Sequence, residues 1–103
     1  MDNIKLNLNE KHRGAFTIAE GEDQLGEMEV AVSGKNLIVY HTEVAPKAEG
    51  KGIAKKLLAA MVAHAREQDL KVVPLCAFVH AQFKRHADEY VDVWNKEYSE
   101  DVE

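Results

Sequence analysis

The sequence predicts a mixed α/β domain: strands paired largely antiparallel, one amphipathic helix, a further strand and a short helical end. Three observations carry this. The first half alternates apolar and polar residues with period two. Between residues 53 and 65 the apolar spacing lengthens to that of a helix. Beyond it, "KVVPLCAF" returns to β-branched strand chemistry.

Taken in order, "IKLNL" (4–8) alternates, and "GAFTIA" (14–19) puts Phe16 and Ile18 on one face. "EGED" (20–23) reads as a turn. "MEVAV" (28–32) alternates again, with Met28, Val30 and Val32 inward and Glu29 outward. "SGKN" (33–36), between two alternating runs, is a hairpin signal. "LIVYHTEV" (37–44) is apolar on both faces at its start, as a central strand covered on both sides would be. Ile53, Leu57, Leu58, Met61, Val62 and Ala65 then share one helical face, with Lys55, Lys56, Arg66 and Glu67 mostly opposite, and the helix should end near Gln68. The strand at 71–78 contains Pro74, which marks a bulge or an unpaired position. Val79 and Phe83, four apart, restart a helix, and Tyr90 and Trp94 mark a last helical turn or two. The strand–helix–strand unit over 36–77 should be a right-handed crossover, setting the fifth strand parallel to the fourth. Sheets of this kind take ligands at the carboxyl ends of the parallel strands, beside the helix N-terminus.

The whole chain, 1–103, is read as a single domain with its core over about 3–95 and an acidic, disordered tail at 96–103. Apolar residues make up 46% of it and the formal net charge is −5, a poor match to a nucleic acid. No apolar run approaches the ~20 residues that span a membrane, and the first residues lack a signal-peptide core. One cysteine, Cys76, builds no disulfide framework, so a cytoplasmic location is expected. Scattered histidines and a single thiol make no metal site.

The stretch "EGKGIAKKLLAAM" (49–61) carries the functional signal. A helix N-terminus leaves backbone N–H groups unpaired, and its dipole favours an anion. Gly50 and Gly52 let a ligand approach the backbone and allow positive φ. Lys47, Lys51, Lys55 and Lys56 concentrate positive charge in an acidic chain. Together they describe a site for a phosphate-bearing ligand, best a diphosphate. A P-loop is excluded, because Gly52 follows Lys51 where Ser or Thr should stand, and a dinucleotide fingerprint would need a small residue in place of Lys55.

"EGKGIAKKLL" resembles the pyrophosphate loop of the GNAT superfamily of acyl-CoA-dependent N-acetyltransferases, whose pattern is [QR]-x-x-G-x-[GA]. Gly52 and Ala54 match its last two positions and Gly50 a common inner glycine, whereas Glu49 stands where Gln or Arg is usual. "HTEVAPKAEGKGIAKKLL" with "KVVPLCAFVHAQFKRHADEY" is similar to the short YjdJ-type branch, over about residues 3–95. The resemblance implies a five-stranded, mostly antiparallel sheet whose strands 4 and 5 are parallel and splay apart. It implies acetyl-CoA as cosubstrate, its diphosphate on Glu49, Gly50, Lys51, Gly52, Ile53, Ala54 and Lys55. The pantetheine would pair with the strand-four backbone at Val44 and Ala45, and Phe83 would lie near the CoA tail.

Acetyl transfer needs a neutral amine, a polarised thioester and a proton for the leaving thiolate. Strict alternation along strand four groups His41 and Glu43 with Leu37 and Val39, as adjacent polar groups at an apolar strand exit, where desolvation suits Glu43 to act as a base. Cys76 stands before a helix start with His80 one turn on, an arrangement that favours thiolate chemistry. The resembled branch has a cysteine at this place, as acyl acceptor or in the site. Direct attack by the amine and a relay through acetyl-cysteine are both open, with the acceptor unidentified. The alternative is a non-catalytic acetyl-CoA-binding or interaction module, since the chain lacks the N-terminal helices that wall the substrate site of longer relatives.

Overall fold

A computed structural model describes residues 3–97; residues 98–103, most of the expected tail, lie outside the described residues. Five strands form one sheet in chain order: β1 (Asn3–Leu8), β2 (Arg13–Glu20), β3 (Asp23–Ser33), β4 (Asn36–Val44) and β5 (Lys71–Pro74). The first three pairings are antiparallel and the last is parallel, as the crossover rule requires. Between β4 and β5 run a 3-10 turn at Pro46–Ala48 and helix α1 (Ile53–Gln68). Two short helices follow, α2 (Ala77–Arg85) and α3 (Ala87–Tyr90). The fifth strand is shorter than its β-rich sequence suggests: it stops at Pro74, and Leu75 and Cys76 form the turn into α2. Among the described residues no helix is long and apolar enough to cross a membrane.

The core lies on one face of the sheet. Phe16, Met28, Val30, Leu37, Val39 and Val72 meet the apolar stripe of α1 and, further along, Val79 and Phe83 of α2. The six residues that share the predicted α1 face are all buried, the five larger ones each contributing about 1.5–3 kcal/mol by leaving water and Ala65 less. The other face carries the cross-strand row Lys5, Thr17, Glu27 and Glu43, and points away from the helices.

One close approach sets where α1 begins. A Cβ on Gly26 of β3 would lie 2.8 Å from Ile53 Cγ2 and 3.0 Å from the Glu43 carbonyl oxygen, so only glycine lets the first turn of α1 rest on the sheet there. Gly26→Ala is therefore expected to destabilise the fold by about 1–3 kcal/mol through overpacking, read as a lower urea midpoint with unchanged slope.

The C-terminal turn is tied back to the domain. Arg66 of α1 donates from Nε and Nη2 to the two carboxylate oxygens of Asp92, at 2.9 and 3.1 Å, and from Nη2 to the Glu89 carbonyl. Trp94 bridges to Val72 as a short parallel extension beside β5, and its N–H also donates to the Tyr90 carbonyl, the i, i+4 bond that the sequence spacing suggests. The Phe83 ring stacks on Tyr90 at 4.6 Å and meets Trp94 edge-on at 5.7 Å.

These contacts give the stability a pH signature. The Arg66 hydrogen bonds hold the Asp92 carboxyl below its usual range, so its contribution is present above about pH 4 and is lost as pH falls through the lowered folded value. Burial pushes the Tyr90 phenol up, so its contribution is full below about pH 10 and is lost as pH rises beyond it. Urea midpoints measured against pH should fall at both ends, and Asp92→Asn should flatten the acid limb alone.

Candidate active site

The site begins where β4 and β5 part. Their pairing runs from Asn36 with Lys71 to Val39 with Pro74. The Cys76 N–H still donates to the Val39 carbonyl at 2.9 Å, and beyond that point β4 continues to Val44 with no strand beside it on that edge among the described residues. Val30 pairs with Val39 but Glu29 pairs with His41, so Tyr40 is an extra, bulged residue. A bulge inverts the alternation downstream of it. Thr42 and Val44 therefore share the core face with Leu37 and Val39, and His41 and Glu43 fall on the outer face. This corrects the strict alternation read from the sequence. Glu43 is exposed, so the desolvation expected at an apolar strand exit is missing.

The backbone of this segment is likewise divided. The Ala45 N–H donates to the Leu25 carbonyl at 2.8 Å, and the Ala45 carbonyl accepts from Ala48. Antiparallel alternation then turns the amides of His41 and Glu43 toward β3, and those of Thr42 and Val44 toward the open edge. An extended ligand laid in the opening would find the backbone of Val44, whereas that of Ala45 is engaged within the chain.

Past the 3-10 turn, Gly50 has φ 86° and Gly52 φ 74°, both left-handed, and Gly52 caps α1. The Lys56 N–H is bonded to the Gly52 carbonyl as the first turn of the helix closes. The N–H groups of Ile53, Ala54 and Lys55 thus precede the helical ladder, and Gly52 offers no side-chain cap. Glu49 and Lys51 are exposed, their own N–H groups bonded back to Pro46 and Ala48. Lys47 pairs with Asp23 at 3.0 Å and is drawn to the β2–β3 turn, while Lys51 lies beside Gly21 and Ile53 in a hollow of about 200 Å³. The helix mouth therefore offers unpaired amides and an exposed positive rim, chemistry suited to a diphosphate.

Cys76 is the N-cap residue of α2 and is only 5% exposed. Its carbonyl accepts from the His80 N–H at 3.0 Å. Its sulfur lies 3.3 Å from the Thr42 hydroxyl across the opening, a partner that periodicity could not reveal because the bulge decides which face Thr42 takes. His80 is exposed, its ring 6.0 Å from that of Trp94, and it borders a cavity of about 270 Å³ with Leu75 and Lys96. Glu43 borders a hollow of about 230 Å³ together with Val44, Ala45, Gln24, Glu27 and Pro46. Phe83, expected near the cofactor tail, is fully buried, with Tyr90 and Trp94 packed against its ring. The structure thus brings Thr42 and Cys76 together, sets Val44 further along the same strand beside Glu43 with the glycine turn beyond it, and leaves His41, Glu43 and His80 exposed.

A family model described as GCN5-related N-acetyl-transferase matches residues 15–93. The chain belongs to that family of N-acetyltransferases, whose members generally use acetyl-CoA as cosubstrate. It is 31% identical to a GCN5-like N-acetyltransferase-family protein from Staphylococcus aureus solved by NMR, over 97% of this chain and 94% of that one, with a TM-score of 0.69. The crystal structure of nourseothricin acetyltransferase is 26% identical over 79% of this chain and 52% of that chain, with a TM-score of 0.52. The ribosomal-protein-S18-alanine N-acetyltransferase from Escherichia coli shares the fold, with a TM-score of 0.57 at 11% identity over 62% of this chain and 42% of that one. Comparison with curated proteins finds no match.

Proposed function

We propose that this chain, as a single domain of the short branch of its family, moves an acetyl group from acetyl-CoA to an amine, with Cys76 carrying the group between them. One observation carries the reading: β4 runs on past its last pairing with β5, bearing Thr42 3.3 Å from the buried Cys76 sulfur, and the chain then leads through a short turn to the glycine-capped start of α1. The diphosphate is held by the backbone of Gly50, Gly52, Ile53, Ala54 and Lys55, with Lys51 at the rim and Glu49 in the turn that shapes it. The pantetheine pairs with the backbone at Val44, while Ala45 anchors the strand end. The Cys76 thiolate attacks the thioester carbonyl, the bond to the CoA sulfur breaks, and that sulfur leaves with the electron pair and takes up a proton. The amine's lone pair then attacks the acetyl-cysteine, the Cys76 sulfur leaves, and the amine's proton passes to a base. His80, one turn along α2, serves as that base. Glu43 and His41, on the outer face at the strand exit, meet the incoming amine. A reducing compartment such as the cytoplasm keeps the thiol free.

The acceptor class is opened by a panel of amines. The named acceptors of two structural neighbours, a ribosomal-protein alanine and nourseothricin, set a peptide N-terminus and a small amine-bearing molecule as first members. Release of CoA thiol should exceed background with at least one of them. Tight acetyl-CoA binding with no release above background for any amine would instead assign a binding module.

A further inference from the structure

We propose that Thr42 is a positioning residue for Cys76, its hydroxyl holding the sulfur in the opening between β4 and β5 in both protonation states; the inference rests on the acetyl-relay reading above. The two side chains are 34 residues apart in sequence and 3.3 Å apart in space, and either atom can donate. Thr42 reaches this place only through the bulge at Tyr40. In an unbroken strand His41 would take the core face and Thr42 the outer one. A bulge interrupts the ladder and persists in folds where a side chain has to be re-aimed.

The chemistry of a hydroxyl suits the task. It has one proton to give and two lone pairs to offer. While the sulfur carries its proton, the hydroxyl accepts from S–H. Once the proton has left, the hydroxyl rotates and donates to S⁻, and hydrogen bonds to ionised groups are the stronger kind. The Cys76 backbone is already fixed on both sides, its N–H on Val39 and its carbonyl under His80. Among the described residues Thr42 is the side chain that hydrogen-bonds the nearly buried sulfur. Without that hydroxyl the thiolate in the opening loses its donor, whereas the fold loses one part-buried contact.

The experiment is the pH profile of Cys76 alkylation by iodoacetamide, read by intact mass in the native chain, Thr42→Val and Thr42→Ser. The chain has one cysteine, so every adduct reports it. Thr42→Val should react about tenfold more slowly at pH 7, the worth of one hydrogen bond to a charged group, and should reach its plateau rate at higher pH. Thr42→Ser should restore the native profile. A Thr42→Val profile that overlays the native one overturns the proposal, as does a Thr42→Ser variant as slow as Thr42→Val. Titration of the Cys76 ¹³Cβ resonance on the same samples reads the sulfur without reagent access; it should move with the alkylation profile, and an unchanged titration in Thr42→Val counts against the proposal. Neither readout uses acetyl-CoA, so a chain that fails to take up acetyl label ends the relay reading while these profiles still judge Thr42.

Discussion

Replacing both Gly50 and Gly52 by valine is expected to raise the Kd for acetyl-CoA by about a hundredfold or more while leaving the domain folded. Both residues have left-handed backbones, which cost an L-residue about 1–2 kcal/mol each and a β-branched one more. A Cβ at either position would meet nothing within 4 Å. The strain is therefore conformational, and an exposed loop relieves it by changing shape. Relief rotates the amides that open α1 away from a common point, and the cradle for the two phosphates is lost. Calorimetric titration should show the loss of affinity, and urea unfolding should show a midpoint close to the native one. The opposite pattern, native affinity in a chain with left-handed valines, would mean that the loop shape does not matter to the ligand.

Cys76→Ala is expected to lower the rate of acetyl transfer by about three orders of magnitude or more, towards the roughly 10⁶-fold loss seen when a protease loses its nucleophile. Acetyl-CoA binding should be retained, because Cys76 caps α2 whereas the proposed diphosphate cradle is the start of α1. Incubation with isotopically labelled acetyl-CoA should give one labelled peptide in the native chain, that containing Cys76, and none in the variant. A variant that keeps its transfer rate within tenfold would assign direct attack by the amine, with Cys76 a packing residue under α2.

The sheet, the crossover and α1 are legible in the sequence because each rests on a periodicity that burial enforces. The six apolar positions from Ile53 to Ala65 are one helical stripe and nothing else, and all six are buried. The glycine turn is legible because two glycines this close to a helix start mark a loop with positive φ, and both are left-handed. The face of the β4 exit is not legible. Tyr40 is an aromatic residue in a run of strand-forming residues, with no glycine or proline to mark the extra residue, yet that residue decides whether His41 or Thr42 takes the core face. The end of β5 is half legible: Pro74 marks it, but "LCAF" is β-rich enough to extend a strand on paper, and the α2 cap at Cys76 depends on the Val39 carbonyl on another strand. Phe83 illustrates the same limit, since its burial follows from Tyr90 and Trp94 folding back over α2.

The most direct measurement is an amide NMR titration of the native chain with acetyl-CoA. The account predicts that the largest shifts fall on Gly50, Gly52, Ile53, Ala54 and Lys55, with a second group at Thr42 and Val44 along the open edge of β4. Saturable binding whose shifts lie elsewhere, on α2, α3 or the outer face, with those amides unmoved, would contradict it.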